Sequence, residues 1–163
     1  MTQALPDTSL ANLIMPISGG ALLLPNSCVA EVASARQLSS AMASDCLLGM
    51  LRWRQQEIPL LCFEGLRDGE MPAAPPLRHV AVMTGLRNPE RLPHYAILLA
   101  SVPHLLSLNT QDVHTVDRHE ALEAVYAEVE VHGQRLLIPD VDVVEQRILN
   151  ELWPPERETE SQD

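Results

Sequence analysis

The sequence predicts an all-β (mainly β) protein: small β-barrels with short helices and one C-terminal helix. Three observations carry this. Apolar residues occur in short runs bounded by glycine, proline and polar clusters, the pattern of strands. Only the stretch from Asp140 to Trp153 repeats its apolar residues (Val141, Val144, Ile148, Leu152) at a helical spacing. No glycine-rich nucleotide-binding motif is present, so a doubly wound parallel sheet finds no support.

The elements follow in order. Residues 1–11 read as a flexible N-terminus. Asn12 to Ser18 and Ala21 to Pro25 flank Gly19-Gly20 and read as a hairpin, because glycine supplies the positive φ of a tight turn. Val29 to Arg36 reads as a strand end followed by a helical turn, and the serine-rich residues 37–45 as a loop. Cys46 to Trp53 and Glu57 to Phe63 form a second hairpin across Arg54, Gln55 and Gln56. Residues 64–77, with two glycines and three prolines, read as the internal boundary between two subdomains.

Beyond that boundary the pattern restarts. His79 to Thr84 reads as a strand, residues 85–93 as a loop, and Tyr95 to Val102 and His104 to Leu108 as strands around Pro103. Ala124 to Val131 turns at His132-Gly133 into Gln134 to Ile138. The closing helix is capped by Asp140 or Asp142, and an acidic, disordered tail covers 153–163.

Composition narrows the function. The chain has 163 residues, 46% hydrophobic, with a net charge of −11. That is enough apolar material for a core, and the wrong sign for nucleic acid or an anionic membrane. All the positive charges are arginines, and residues 112–163 hold fourteen of the twenty-two acids. No run reaches the ~18 apolar residues of a membrane span. The start lacks the basic region of a secretory signal, and Cys28, Cys46 and Cys62 are an odd, widely spaced set read as reduced buried thiols. These features point to a cytoplasmic protein.

The sequence carries no recognisable catalytic or metal-binding pattern. G-x-S-x-G and H-E-x-x-H are missing, and His79, His94, His104, His114, His119 and His132 form no zinc-type spacing. His114 and His119 read as loop histidines, Glu128 and Glu130 as the solvated face of an edge strand, and Cys62 as a structural thiol. The expectation is a non-enzyme with no cofactor and no metal.

The run Gly49-Met-Leu-Arg-Trp-Arg-Gln-Gln-Glu-Ile-Pro-Leu-Leu-Cys-Phe63 resembles the signature of the CheW-type coupling domain of bacterial chemosensory systems. Gly49, Leu51, Arg54, Ile58, Pro59, Leu60 and Leu61 fit its pattern. Three further segments agree in order: Leu24-Pro25 with Val29-Ala30-Glu31-Val32, Ala96 to Val102 with Leu105 to Leu108, and Gly133 to Asp142. The likeness spans about residues 12–149. The sequence departs from the family at Arg52 (family Asn), Gln55 (family Gly), Cys62 and Ala100 (family acids), and at the added Pro103.

The resemblance implies two intertwined five-stranded β-barrels within residues 12–152. It also implies an adaptor linking chemoreceptor signalling tips to the regulatory domain of a histidine kinase, without catalysis or cofactor. The altered tip suits an auxiliary adaptor, for chemotaxis or for a pilus-linked array and twitching motility. Arg54 is carried over as the receptor-side arginine, and Val29 and Glu31 match positions near the partner surface. Bottom-up, period two places Leu51 and Trp53 on one strand face and Arg52 and Arg54 on the other. Arg52 joins the partner-binding set on that ground, while Trp53 reads as core. The protein is expected to be a monomer or to self-associate weakly. Two rival readings are a small-ligand-binding or hydrolytic β-barrel with a deep polar pocket, and an assembly subunit joining through exposed strand edges.

Overall fold

The computed structural model describes residues 10–73, 75–117 and 122–155. Twelve strands form two six-stranded sheets. The first strand, β1 (Leu10–Ile17), turns at Ser18-Gly19 into β2 (Gly20–Pro25). A single 3-10 turn, Asn26–Cys28, leads to β3 (Val29–Ser34) and the two-residue β4 (Ser40–Ala41). β5 (Leu47–Trp53) and β6 (Gln56–Leu61) make the second hairpin. A short helix α1 (Phe63–Asp68) precedes β7 (His79–Thr84), β8 (His94–Leu99), β9 (His104–Leu108) and β10 (Val113–Val116). The chain closes with β11 (Val125–Val131), β12 (Gln134–Pro139) and helix α2 (Val141–Leu152).

The strand orders are β10-β11-β12-β2-β1-β9 and β3-β7-β8-β6-β5-β4. The N-terminal hairpin therefore sits in the middle of a sheet otherwise made from the C-terminal half: β1 pairs with β9, and β2 lies parallel to β12. That is the intertwining. It also corrects the boundary expected at 64–77, because β6 and β7 flank that segment and share one sheet. The chain changes sheet at residues 26–28 and 100–103 instead. The composition shift at 64–77 marks helix α1 and a proline-rich crossing, and proline density reports backbone irregularity, not sheet membership.

Two further expectations change. Each sheet has six strands, not five, and among the described residues no pairing joins its two edge strands. The units are curled half-barrels. The extra strands are the shortest, β4 and β10, in polar sequence with little alternation to read. β3 also runs straight into coil, with no helical turn after it. Strand β1 starts at Leu10, inside the expected flexible terminus. The expected tail from 156 onward and His119 lie outside the described residues.

The core has three compartments. Leu13, Met15, Leu22, Leu61, Phe63, Tyr95, Ile97 and Val144 pack between the sheets. Leu51, Trp53, Ile58, Leu60, Val80, Val82, Ala96 and Leu98 fill one curl, and Ile14, Leu23, Val129 and Leu136 the other. Strands β1, β2, β7 and β8 thus send alternate side chains into two apolar compartments. This is why they read as continuous apolar runs. Each such Leu or Val side chain contributes about 1.5–3 kcal/mol by leaving water.

Two local features set the frame. Gly49 has φ 152°, and a Cβ there would run into the Ser40 backbone carbonyl, so glycine lets β4 approach β5. Helix α2 is capped by Asp140, whose side chain accepts from the Val143 N–H, as expected. From α2, the fully buried Glu145 accepts from the Leu86 and Arg87 N–H groups at 2.8 and 2.9 Å. The Tyr95 hydroxyl donates to its other oxygen at 3.4 Å. The helix is thereby fastened to the loop after β7.

Candidate functional site

The hairpin tip between β5 and β6 brings Arg54 together with Glu31. Trp53 pairs with Gln56, so the turn is the two residues Arg54 and Gln55, one shorter than expected. Their φ values are 45° and 63°. A two-residue hairpin whose central residues both have positive φ matches the twist of the strands, and asparagine and glycine favour it. Here neither residue is glycine, so each carries left-handed strain of about 1–2 kcal/mol.

Arg54 therefore leaves the strand before the period-two rule can apply to it. This corrects its expected place beside Arg52 on one strand face. Its guanidinium carbon lies 4.8 Å from the Trp53 ring centroid, and its Nη2 is 3.3 Å from Glu31 Oε2. The same carboxylate oxygen accepts from the Trp53 indole N–H at 2.7 Å. On the other side, His94 at the start of β8 packs against Trp53, with ring centroids 4.8 Å apart and planes tilted by 56°. Its Nδ1 is buried without a hydrogen-bond partner among the described residues.

Glu31 reaches this point because β3 is irregular. Val29 pairs with Met83 and Glu31 with Val82, which leaves Ala30 as an extra residue. A bulge of this kind bends the strand and re-aims its side chains. Strands β3 and β5 are not neighbours in the sheet, so the curl brings Glu31 to the tip. Val29, half-buried, leans on the core between the sheets. Arg52 is exposed opposite Glu57 and makes no ion pair among the described residues. The structure thus joins Arg54 to Glu31 and leaves Val29 and Arg52 outside that contact. The arginine and the carboxylate remain open to solvent, with side-chain exposures of 66% and 39%.

His94 is a neighbour of the tip that the sequence reading leaves out. Its one signal was a polar residue immediately before the doubly buried run from Tyr95 to Leu99. Other candidates take structural places. Cys46 and Cys62 are buried as expected, whereas Cys28 is only half-buried, and all three cysteines are free. Burial, with the Glu64 carboxylate that its thiol donates to at 3.0 Å, pushes the Cys62 thiol up to about 12. Burial likewise raises Cys46. Glu130 is exposed and Glu128 half-buried on β11, which is not the edge strand expected, because β10 and β12 flank it. Among the described residues no three His, Cys, Asp or Glu side chains group as metal ligands, and no helix is long and apolar enough to cross a membrane.

Among the described residues, two of the open depressions lie well away from the tip. One of about 430 Å³ separates β9 from β10 and is mainly apolar, lined by Leu10, Leu23, Leu108, Val113 and Ile138. The other, about 420 Å³, lies at the start of α2 between Arg87, Arg147, Glu123, Asp140 and Asp142.

No curated protein matches the chain in sequence. Among solved structures it is similar to the scaffolding protein TtCheW of Thermoanaerobacter tengcongensis. The TM-score is 0.65 at 8% identity, over 85% of this chain and 89% of that one. The two share a fold of paired curled sheets. The sequence profile of the CheW-like domain matches residues 13–148, which take in both half-barrels, the Arg54 tip and most of α2. Over that span, with the signature hairpin and the bulged β3 meeting at one ion pair, the chain belongs to the CheW-like domain family.

Proposed function

We propose that this protein is a non-catalytic adaptor of a bacterial chemosensory array, working in the cytoplasm. It links chemoreceptor signalling tips to the regulatory domain of a histidine kinase. The observation that supports the receptor side is the Arg54–Glu31 pair, which ties the hairpin tip to β3 while both groups stay open to solvent. A guanidinium held this way presents its remaining N–H donors in a planar fork suited to a carboxylate or backbone carbonyls. Arg52 adds a second guanidinium near the tip, and Val29 marks the apolar start of β3 below Glu31.

The test is calorimetric titration against a recombinant chemoreceptor signalling-tip fragment. Arg54→Ala is expected to weaken binding by about 2 kcal/mol or more, as a hot-spot residue does. Its exposed ion pair contributes only about 0–1 kcal/mol to stability, so the fold stays intact. Arg54→Glu is expected to bind more weakly still. Unchanged affinity in both variants would place receptor binding on another surface. In gel filtration the protein is expected to elute as a monomer of 18.0 kDa or in weak self-association.

A further inference from the structure

We infer that Trp53 is a positioning residue for the partner-contacting tip, setting the direction of Arg54 through the carboxylate of Glu31. The inference rests on the reading of that tip as the receptor contact, and it concerns a side chain that itself stays buried.

The turn supplies the reason such a residue is needed. With Arg54 at φ 45° and Gln55 at φ 63°, the tip holds two left-handed residues without glycine. Strain of this kind persists only where the surroundings over-determine the conformation. The surroundings here are few and specific. Trp53 is 9% exposed and anchored in the core of its half-barrel. Its ring face carries the Arg54 guanidinium, its N–H holds Glu31 Oε2, and Arg54 closes the triangle on that same oxygen. His94 supports the ring from β8. A rigid indole thus fixes both ends of an ion pair that would otherwise wander on the surface. An aliphatic residue at position 53 would keep the site apolar, yet it could neither donate to Glu31 nor carry a cation on its face.

Three variants and one spectrum test this with the same receptor-tip fragment. Trp53→Phe keeps a ring in the core and removes the N–H. It is expected to weaken binding about threefold to tenfold, the range for losing one ordinary hydrogen bond, because the lost contact reaches the partner only through Glu31. In a Glu31→Ala background, which leaves the indole N–H no acceptor at position 31, the same change is expected to cost less than about twofold, because Trp53 acts through that carboxylate. Equal losses in both backgrounds would overturn the inference. Wild-type affinity in Trp53→Phe, with Arg54→Ala still weakened, would overturn it and leave the receptor reading standing. Wild-type affinity in Arg54→Ala as well would remove both. The spectrum is independent of whether Trp53→Phe folds. The Trp53 indole N–H resonance, assigned with Trp153→Phe, is expected to shift in Glu31→Gln and to stay in place in Arg52→Ala. An unmoved resonance in Glu31→Gln would also overturn the inference.

Discussion

Replacing Glu145 by leucine tests how the C-terminal helix is fastened. Glu145 is fully buried on α2, between the buried Val144 and Ile148. Its Oε1 accepts from two backbone N–H groups, of Leu86 and Arg87, and its Oε2 from the Tyr95 hydroxyl. Burial, with the Glu145 carboxylate beside it, pushes the Tyr95 phenol well above its ordinary range, so that hydroxyl stays a donor. Leucine matches the shape of glutamate and leaves these donors unmet. Two orphaned N–H groups cost about 1–3 kcal/mol each, and burying the leucine returns roughly 1.5–2 kcal/mol. The net loss is about 2 kcal/mol. For a chain of this size 1 kcal/mol moves the midpoint by roughly 2–4 °C, so Tm should fall by about 4–8 °C. Glu145→Gln keeps an acceptor oxygen and gives up the charge, so its loss should be about 1 kcal/mol. Urea unfolding followed by circular dichroism measures both. A Glu145→Leu protein within 1 kcal/mol of wild type would refute the reasoning, since its donors would then have found water.

Gln55→Gly should raise stability by about 0.5–1 kcal/mol, because relief of left-handed strain exceeds the extra chain entropy that glycine loses on folding. A lower denaturation midpoint would mean that the Gln55 side chain holds the tip. For the thiols, native protein at pH 8 should react with a thiol reagent at the half-buried Cys28 well before Cys46 or Cys62, and all three should react once unfolded. Equally fast labelling of Cys62 would contradict its burial. The Cys62 thiol also makes stability depend on alkaline pH. Its folded pKa is raised from 9.0 to about 12, so its contribution is complete below pH 9 and is lost as pH climbs toward 12. Cys62→Ala should flatten that part of the profile.

The sequence alone determined the local elements with strong periodic signals. The His79–Thr84 strand, the His132-Gly133 turn and helix α2 with its Asp140 cap all stand where pattern and turn chemistry put them. Each depends on residues within one turn or one hairpin, and such short-range preferences are written in neighbouring positions. The signature around Gly49 to Phe63 pointed likewise to the family and to Arg54. The local pattern did not carry the pairings made at a distance, and the family resemblance implied only that the two units intertwine. That the first hairpin joins the C-terminal strands is a choice among strands of nearly equal apolar character, and backbone pairing is blind to side-chain identity at that level. Helix α1 has too few residues to show a period. Glu145 lies in the apolar stripe of α2, but only the loop from β7, fifty-nine residues away from it at Leu86, makes a buried carboxylate stable there. The site follows the same division. Arg54 and Glu31 were readable one by one, whereas their meeting needed a bulge at Ala30, a left-handed turn and a curled sheet, and those arise only when the whole sheet closes around Trp53.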